Sequence, residues 1–367
     1  MNILISDSTD IYGGGEDYVL TLALLLRERG HHLCVSTLPG HLLSTKCSTA
    51  GIETTPLSYI GMGRVFSVAL QLRKIMVDRG INIVHSNANY DRTCAGIAAF
   101  SLSVAHVATV HSAHSIQHNI THWARNKFAT DHFIAVAPPV HEILVHHDRI
   151  PPEKVTFIPN GVPDNSDNSE KMRRQVRAEL EIADGTVVIG NVARLVPFKG
   201  HRYLLRTVET VLQNDSNTLF LILGDGELRS ELEATARKMN IENHIRFLGF
   251  RTEVRRYYHA FDIYCHSSVE LAEEAFPLAI LDALATRIPV ASTQVGGIGM
   301  MVKDGITGFL TAPEQPEALA NALRELIRSE EKRQAMGSEG YKLFREHYHA
   351  SSMADKVEDV YAKVARP

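Results

Sequence analysis

Short apolar runs alternate with amphipathic segments along the whole chain. In the first half, runs typical of buried strands occur at residues 2–6, 33–37, 82–85, 105–110, 133–136 and 155–158. Helical patterns lie between them; in residues 17–29, apolar side chains recur at helical spacing until Gly30 ends the pattern. Because strands that alternate with helices form parallel sheets covered on both faces, this pattern predicts an α/β fold.

The same rhythm restarts after a turn-rich junction. Residues 159–163, with the sequence PNGVP, are dense in turn formers, and the polar residues 164–171 predict a linker. Strand patterns then recur at 187–191, 219–223, 245–248, 262–266 and 290–292, and the tail 316–366 is helical in pattern. We predict two doubly wound, Rossmann-like domains, 1–163 and 164–347, facing a central cleft where ligands bind at strand carboxyl ends.

Composition and charge narrow the class of protein. A chain of 367 residues with 44% hydrophobic and 22% charged residues can form two globular cores. Its net charge of −4 provides no general basic field, so we expect no nucleic-acid partner. The four cysteines include no C-x-x-C pair, which argues against a zinc ribbon or a disulfide framework and is typical of a reducing cytoplasm.

The sequence also bears on location. Residues 1–7 resemble a first strand rather than a secretion signal, and the longest weakly apolar region, 94–110, is too polar to span a bilayer. We therefore predict a cytoplasmic protein. Helix 64–79 carries four basic residues; a solvated helix face is the simpler interpretation, and peripheral contact with anionic headgroups at the inner membrane face is the alternative.

Two positive charges follow the strand predicted at 187–191. Arg194 and Lys199 lie in the loop between this strand and the next helix. Two fixed cations at the carboxyl end of a strand suit a diphosphate, whereas solvated loop charges are the ordinary alternative.

A later segment carries two acidic residues of interest, Glu274 and Asp282. Pro277 favours the first turn of a helix, so Glu274 would precede that helix and Asp282 would lie more than a turn inside it. Carboxylates beside a phosphate site bind sugar hydroxyls rather than phosphate. Acids at a helix N-terminus need no function, and Glu273 is best explained in that way.

Three other segments could border the same ligand. Gly14 and Gly15 lie between the first strand and the first helix, where backbone N–H groups could approach an anion; a tight turn explains them equally well. Gly224 and Asp225 follow the strand at 219–223 and permit a sharp turn near the same edge. Phe247 could pack against a nucleobase, although its spacing alone favours the core.

Four histidines recur after the strand at 105–110: His111, His114, His118 and His122. Metal ligands must converge, and this run has no nearby carboxylate, so we predict no metal site. A solvated or core-edge helix face explains the last three. His111 directly follows the strand and is expected to face the cleft.

In order along the chain, these segments resemble a known family. The order is Gly-Gly-x-Glu after the first strand, Thr-Val-His ending at His111, the turn at 159–162, Arg-Leu-x-x-x-Lys-Gly at 194–200, Glu-x-Phe-x-Leu from Glu274 with Asp282 following, and Gly-Gly at 296–297. Over nearly the whole chain it resembles the large group 1 (family 4) of retaining glycosyltransferases with the GT-B fold. The resemblance implies an acceptor-binding first domain, a donor-binding second domain, and a C-terminal helix within 348–367 that crosses back to the first domain.

The resemblance also implies roles for individual residues. Arg194 and Lys199 would neutralise the diphosphate of a nucleotide sugar, a UDP-sugar before GDP or ADP, while Glu274 would contact the sugar hydroxyls. His111 would lie beside the transferred sugar. The remaining donor-binding positions would be Gly14, Gly15, Gly224, Asp225, Phe247, the backbone of Phe276, Pro277 and Leu278, and Asp282 at the ribose. Such enzymes need no bound metal or other cofactor, because basic side chains and helix ends stabilise the leaving group.

The acceptor and the oligomeric state remain open at this point; a glycan, a lipid-linked glycan or a small molecule are all possible acceptors, as in polysaccharide or lipopolysaccharide biosynthesis. The sequence also departs from the family pattern: Asp282 stands where glutamate is usual, and Pro277, which has no N–H, stands where glycine is usual. These departures motivate a second hypothesis, a catalytically silent nucleotide-sugar-binding protein of the same fold. A third, a Rossmann dehydrogenase, is disfavoured because G-x-G-x-x-G is absent.

Overall fold

The computed structural model describes residues 1–59, 62–167, 169–269 and 274–366. These residues form two compact units. The first contains Met1–Gly161 and the C-terminal segment from Ala350 on, and the second is Val162–His349. Each unit is built on a parallel sheet, which confirms the prediction of two Rossmann-like α/β domains.

The first unit contains a seven-stranded parallel sheet. Its strands are β1 (Asn2–Ser6), β2 (His32–Thr37), β3 (Glu53–Pro56), β4 (Ile83–Ser86), β5 (Ala105–Val110), β6 (His132–Ala135) and β7 (Val155–Phe157). They are arranged in the order β3-β2-β1-β4-β5-β6-β7. The order reverses between β1 and β4, and loops at such a switch point form the ligand-binding edge of open α/β sheets.

Helices cover both faces of this sheet. Those before Gly161 are α1 (Gly14–Glu28), α2 (Leu42–Thr49), α3 (Val65–Asp78), α4 (Asn89–Ala99), α5 (Ile120–Phe128) and α6 (Pro138–Glu142), which continues as one π-helical turn, Ile143–His147. Successive strand residues point to opposite faces, so Ile3 and Ile5 pack with α1 while Leu4 packs with α3 and α4.

The second unit repeats this plan with six strands. They are β8 (Val187–Val192), β9 (Thr218–Leu223), β10 (Ile245–Gly249), β11 (Ile263–His266), β12 (Val290–Thr293) and β13 (Gly308–Thr311), in the order β10-β9-β8-β11-β12-β13. The helices are α7 (Ser169–Glu179), α8 (His201–Leu212), α9 (Arg229–Lys238), α10 (Val254–Tyr258), α11 (Leu278–Ala285), α12 (Ile298–Met301), α13 (Pro316–Ile327) and α14 (Glu330–His347). Since β8 and β11 are neighbours at the switch point, the loops that follow them leave from adjacent positions on the sheet.

The last helix, α15 (Ala350–Val364), belongs to the first unit. Its buried residues Met353, Val357 and Tyr361 join the core that contains Tyr18 and Leu22 of α1. Burial of this apolar stripe explains why the C-terminal segment packs there, and it confirms the predicted return of the chain to the first domain.

Two local predictions were wrong. The strands β3 and β13 have no counterpart among the predicted strands, because both are short and only partly buried edge strands without a continuous apolar run. The proposed linker 164–171 is also only partly a linker, since α7 begins at Ser169. Before it, Asp164 accepts hydrogen bonds from Tyr341 (2.7 Å) and Arg345 (3.0 Å), which anchor this segment to α14.

Three features are absent from the described residues. None of their helices combines the length and the apolar character needed to cross a bilayer. No group of three or more His, Cys, Asp or Glu side chains is positioned to hold a metal ion. The four cysteines are buried and free of disulfides.

Candidate functional site

The basic loop of the second unit follows β8 and ends at α8. Arg194 is exposed, Lys199 is largely buried, and both flank one aromatic ring. The Arg194 guanidinium carbon and the Lys199 Nζ lie 5.7 Å and 5.3 Å from the centroid of Phe198. Cation–π contacts with the same ring therefore hold the two positive charges near each other.

Glu274 lies beside this loop and is only 4% exposed. Its Oε2 atom contacts the Lys199 Nζ, lies 3.1 Å from His266 Nε2 and accepts a hydrogen bond from Ser268 Oγ at 2.6 Å. Burial alone would raise the pKa of Glu274, but the charge of Lys199 and the contact with His266 outweigh it and bring the pKa below its usual range. The carboxylate is therefore ionised.

The two oxygens of Glu274 differ in their surroundings. All three contacts are made by Oε2, whereas Oε1 accepts no hydrogen bond from any described residue. One oxygen thus fixes the carboxylate in place, and the other retains its capacity to accept hydrogen bonds. This arrangement suits recognition of a ligand hydroxyl.

A polar cluster at the end of β11 supports Glu274, and the sequence predictions missed it. Tyr264 OH lies 3.2 Å from His266 Nδ1, so the tyrosine can donate to Nδ1 while Nε2–H donates to Glu274. Burial lowers the pKa of His266 and outweighs the opposite effect of the Glu274 carboxylate, so this histidine is neutral near pH 7. The signal that could have found it is the polar sequence His-Ser-Ser, which begins at the last residue of an apolar strand.

Gly296 permits a close approach of the loop after β12 to the acidic segment. Its φ is +54°, and a Cβ atom there would lie 1.6 Å from the carbonyl oxygen of Glu274. The neighbouring Gly297 N–H donates to the carbonyl of Ala275 at 2.8 Å. A side chain at 296 would push Glu274 away, so this glycine keeps the acidic segment in position.

The segment after Glu274 leads into α11. Phe276 is buried and its ring packs against Tyr348, with the centroids 5.6 Å apart. Pro277 is the N-cap residue and Leu278 is the first helical residue, one position later than predicted. Because Pro277 has no N–H, the first backbone donor at this helix start belongs to Leu278. Glu273 lies outside the described residues.

Asp282 lies inside α11 and forms an ion pair with Arg255. Its Oδ1 accepts from Arg255 Nε of α10 at 2.8 Å, and the carboxylate side chain is 7% exposed. The expected contact between Asp282 and a ribose would therefore have to form alongside this ion pair. Arg255 was not among the predicted site residues.

The turn after β9 packs against the basic loop. Gly224 has φ +130°, and a Cβ atom there would lie 1.9 Å from the carbonyl oxygen of Ala193. The carbonyl of Asp225 accepts from the Leu195 N–H at 2.9 Å, and its side chain pairs with Arg229 at 3.1 Å. Phe247 is partly buried against the core of the unit, which is the position that its spacing favours.

The glycine turn of the first unit opens α1. Gly14 and Gly15 are its first two residues, where backbone N–H groups have no partner within the helix. The Glu16 side chain accepts from the Gly13 N–H at 2.6 Å and contacts Thr9, so the turn is also closed by its own acid.

His111 follows β5, as predicted. Its Nε2 lies 3.4 Å from Asn87 Oδ1, and its ring meets the edge of Tyr18 at a centroid distance of 4.9 Å. Burial, followed by the positive charge of Arg92, lowers the pKa of His111 to about 4. His111 is therefore neutral near pH 7 and can both donate and accept a hydrogen bond.

A buried chain of hydrogen bonds runs from α15 to the residue that packs on His111. Tyr361 OH lies 2.5 Å from His85 Nδ1, and His85 Nε2 lies 2.7 Å from Thr109 Oγ1. Thr109 Oγ1 in turn lies 3.2 Å from the hydroxyl of Tyr18, whose ring contacts His111. The C-terminal helix is thus connected to the surroundings of His111 within the first unit.

Family models match both halves of the chain. The model described as Glycosyltransferase Family 4 matches residues 12–166, and the one described as Glycosyl transferases group 1 matches residues 172–343.

Curated relatives match part of the chain. D-inositol 3-phosphate glycosyltransferase of Corynebacterium glutamicum is 30% identical over 225 residues, which cover 58% of this chain and 52% of that protein. The UDP-Gal:alpha-D-GlcNAc-diphosphoundecaprenol alpha-1,3-galactosyltransferase of Escherichia coli is 26% identical over 276 residues, 69% of this chain and 68% of that protein. The chain spans about half the length of the corynebacterial relatives that it matches.

Solved structures resemble the whole chain. Anabaena HepE, crystallised in complex with UDP-glucose, has a TM-score of 0.87 at 22% identity, covering 99% of this chain and 100% of that chain. WaaG, a glycosyltransferase involved in lipopolysaccharide biosynthesis, has a TM-score of 0.76 at 18% identity, covering 98% and 99%. These likenesses establish the fold, and with both halves matched by its family models the chain belongs to the group 1 (family 4) glycosyltransferases of GT-B fold.

Proposed function

We propose that the protein transfers a sugar from a nucleotide-diphosphate sugar to an acceptor hydroxyl with retention of configuration. The observation that carries this proposal is the contact between Lys199 and Glu274, which are 75 residues apart in the sequence. These are the residues to which the family resemblance gives the diphosphate and the donor sugar. A UDP-sugar is the first candidate donor, and the UDP-glucose bound in the structure of HepE supports it.

The basic loop would stabilise the leaving group. Negative charge develops on the departing diphosphate as its bond to the sugar breaks, and preorganised cations lower the energy of that state. Arg194 is exposed and forms no ion pair with any described residue, so it can bind a phosphate directly. Lys199 would share its charge between the phosphate and Glu274.

Glu274 would orient the donor sugar. Its Oε2 is occupied by Lys199, His266 and Ser268, while Oε1 is the oxygen left for a sugar hydroxyl. Because the carboxylate is held ionised, it can accept a strong, charge-assisted hydrogen bond. In this proposal Glu274 binds the sugar, and no protein carboxylate attacks it.

The proposed chemistry is substitution on one face of the sugar. The bond between the anomeric carbon and the β-phosphate oxygen breaks, and the acceptor oxygen forms its bond from the same side. The departing phosphate takes the acceptor proton, so the products are the glycosylated acceptor and the nucleoside diphosphate. Side-chain cations supply the charge stabilisation, and we propose that no metal is required. The contact of His111 with the transferred sugar stays a prediction.

We propose a lipid-linked glycan as the first candidate acceptor. We also propose that the protein is cytoplasmic and contacts the inner face of the membrane. The E. coli relative, named for α-D-GlcNAc-diphosphoundecaprenol, supports this choice. A soluble glycan or a small molecule remains the alternative.

A radiolabelled donor assay tests the proposal. UDP-glucose, UDP-galactose and UDP-N-acetylglucosamine are each incubated with the protein and a panel of acceptors, and hydrolysis and transfer are measured. A thermal-shift screen run in parallel identifies donors that bind, because a ligand specific for the folded state raises the melting temperature. Binding of a donor without hydrolysis or transfer would favour the catalytically silent protein that Asp282 and Pro277 suggested.

A further inference from the structure

Exposed apolar side chains are concentrated in one part of the first unit. The described residues include twelve exposed large hydrophobic side chains. Eight of them lie on α3, α4 and α5 or directly after α4: Phe66, Leu70, Val77, Ile97, Phe100, Ile120, Trp123 and Phe128. Exposed apolar residues that occur singly are ordinary, whereas a group on neighbouring helices marks an interaction surface.

Helix α3 carries the clearest stripe. Phe66, Leu70 and Val77 are 73%, 68% and 61% exposed. At about 100° per residue they fall within roughly 40° of one another around the helix axis, with Arg73 and Lys74 on either side. The apolar stripe is therefore flanked by basic side chains, the pattern of a helix that lies in the surface of a membrane.

Hydrogen bonds join the three helices. Arg73 of α3 donates to the carbonyls of Ala98 (3.1 Å) and Phe100 (2.7 Å) at the end of α4. Arg125 of α5 donates to the side chains of Asn89 and Thr93 of α4, both at 2.9 Å. Helices α3, α4 and α5 are therefore packed side by side, and their exposed side chains lie on adjacent elements of the unit.

Aromatic residues on α5 extend the surface. The rings of Trp123 and Phe128 are in edge contact, 5.7 Å apart, and Lys127 Nζ lies 4.9 Å and 5.4 Å from their centroids. Tryptophan beside a basic residue is favoured at the boundary between headgroups and acyl chains, where the ring is apolar and the cation stays in water.

The charge of this region is opposite to that of the chain. Residues 62–128 contain seven Lys or Arg and two Asp, a balance of +5, whereas the whole chain carries −4. Of these charges, Arg92, Arg125 and Asp91 are buried, Lys74 pairs with Asp78 at 2.8 Å and Arg79 pairs with Glu53. The remaining cations, which form no ion pair with a described residue, are then Arg64, Arg73 and Lys127, a local balance of about +3. The exposed apolar side chains are thus embedded in a locally positive surface, which favours a negatively charged partner over a second copy of the same surface.

We propose that this α3–α5 surface docks on an anionic lipid bilayer. Basic side chains bind the headgroups and the apolar and aromatic side chains enter the boundary region, so that binding requires both kinds of contact. The proposal deepens the proposed function and rests on it, because a bilayer would present a lipid-linked acceptor to the first unit. Its test is independent of sugar transfer.

The single tryptophan of the chain provides the assay, since Trp123 lies on the proposed surface. The full-length protein is mixed with vesicles of 70% phosphatidylcholine and 30% phosphatidylglycerol, or of phosphatidylcholine alone. Co-sedimentation measures binding, and brominated acyl chains test whether the Trp123 fluorescence is quenched. Phe66→Ser with Leu70→Ser removes the stripe, and Ile306→Ser, 57% exposed in the second unit, is the matched control.

The expected result is binding to the anionic vesicles, quenching of Trp123 and weaker binding at high salt. The double variant should bind roughly tenfold more weakly through the lost apolar contact, and Ile306→Ser should bind as the wild type does. Failure to bind anionic vesicles, or equal binding by the double variant, would overturn the proposal. So would sedimentation showing that the wild type forms a dimer that the double variant loses, because the surface would then be a protein interface.

Donor hydrolysis measured without vesicles separates this inference from the proposed function. The double variant should hydrolyse the donor at the wild-type rate, because the stripe lies in the first unit and holds no predicted donor contact. A protein that binds vesicles but turns over no nucleotide sugar would contradict the proposed function alone.

Discussion

The ion pair between Lys199 and Glu274 can be tested by replacing its cation. Lys199→Met keeps most of the side-chain volume and removes the charge, which leaves the buried carboxylate with His266 and Ser268 as its remaining contacts. Both partners of the pair are well shielded, with side chains 14% and 5% exposed. We therefore expect Lys199→Met to destabilise the second unit even without a ligand.

The size of the effect follows from this burial. Removing one member of a buried ion pair costs about 3–5 kcal/mol, because the remaining charge is left without compensation. For a domain of this size, each kcal/mol lowers the melting temperature by roughly 2–4 °C, so a loss of about 6 °C or more is expected. The double variant Lys199→Met with Glu274→Gln should lose less than the sum of the two single variants, since it leaves no buried charge.

Calorimetry measures these differences, and hydrogen exchange of peptides from β11 and α11 assigns the transition to the second unit. Arg202→Met is the matched control, because it breaks the exposed pair with Glu231, whose side chains are 60% and 48% exposed. Such a pair contributes about 0–1 kcal/mol. If Lys199→Met lowers the melting temperature no more than Arg202→Met does, or if the two site substitutions are simply additive, then the buried ion pair does not stabilise the second unit.

Three further predictions concern the first unit. His111→Ala should lower turnover more than donor affinity. Steady-state kinetics and a donor-binding assay measure the two losses, and a larger loss of affinity would mean that His111 only binds the donor. Tyr361→Phe should also lower turnover, by less, since the chain of hydrogen bonds reaching Tyr18 loses its first member; an equal loss in Tyr59→Phe, another buried tyrosine, would refute this. Burial lowers the pKa of His85 to about 3 and of His106 to about 4, from 6.5. The unfolded chain therefore takes up protons first as the pH falls below 6.5, and each histidine should cost roughly 2 kcal/mol at pH 5 relative to pH 7; a melting temperature for this unit that is constant from pH 7 to 5 would contradict it.

The order of strands and helices could be predicted because most buried strands contain a short apolar run. Two strands escaped prediction for the opposite reason. Glu53–Pro56 and Gly308–Thr311 lie at sheet edges, where one side needs no covering and polar residues are tolerated. Edge position alone is not the reason, because the edge strands β7 and β10 begin with the apolar residues Val155 and Ile245 and were predicted.

The candidate site was predictable in its charged parts. Arg194 and Lys199 were predicted from two cations in the loop after a strand, and Glu274 from an acidic segment before a helix. Their supporting contacts were not predictable, since they depend on which loops meet in space. Only the fold brings His266 beside Glu274 and places the carboxyl group within reach of Lys199.

Asp282 illustrates the limit of motif reasoning. The family resemblance implied a ribose contact for Asp282, which stands where glutamate is usual. The structure adds the ion pair with Arg255, which comes from a different helix and has no signal in the motif. A motif identifies which residue is present, while its available hydrogen bonds depend on neighbours that the motif does not contain.

The turnover of the Arg194→Ala variant measures whether the basic loop of the second unit stabilises a leaving diphosphate. Arg194 is exposed and its cation–π contact with Phe198 contributes only about 0.5–1 kcal/mol, so the substitution should lower the melting temperature by at most roughly 4 °C. Release of UDP from the donor identified in the screen should fall by about 30- to 1,000-fold, corresponding to about 2–4 kcal/mol of lost transition-state stabilisation. Turnover close to that of the wild type, in a variant that is fully folded, would contradict the account.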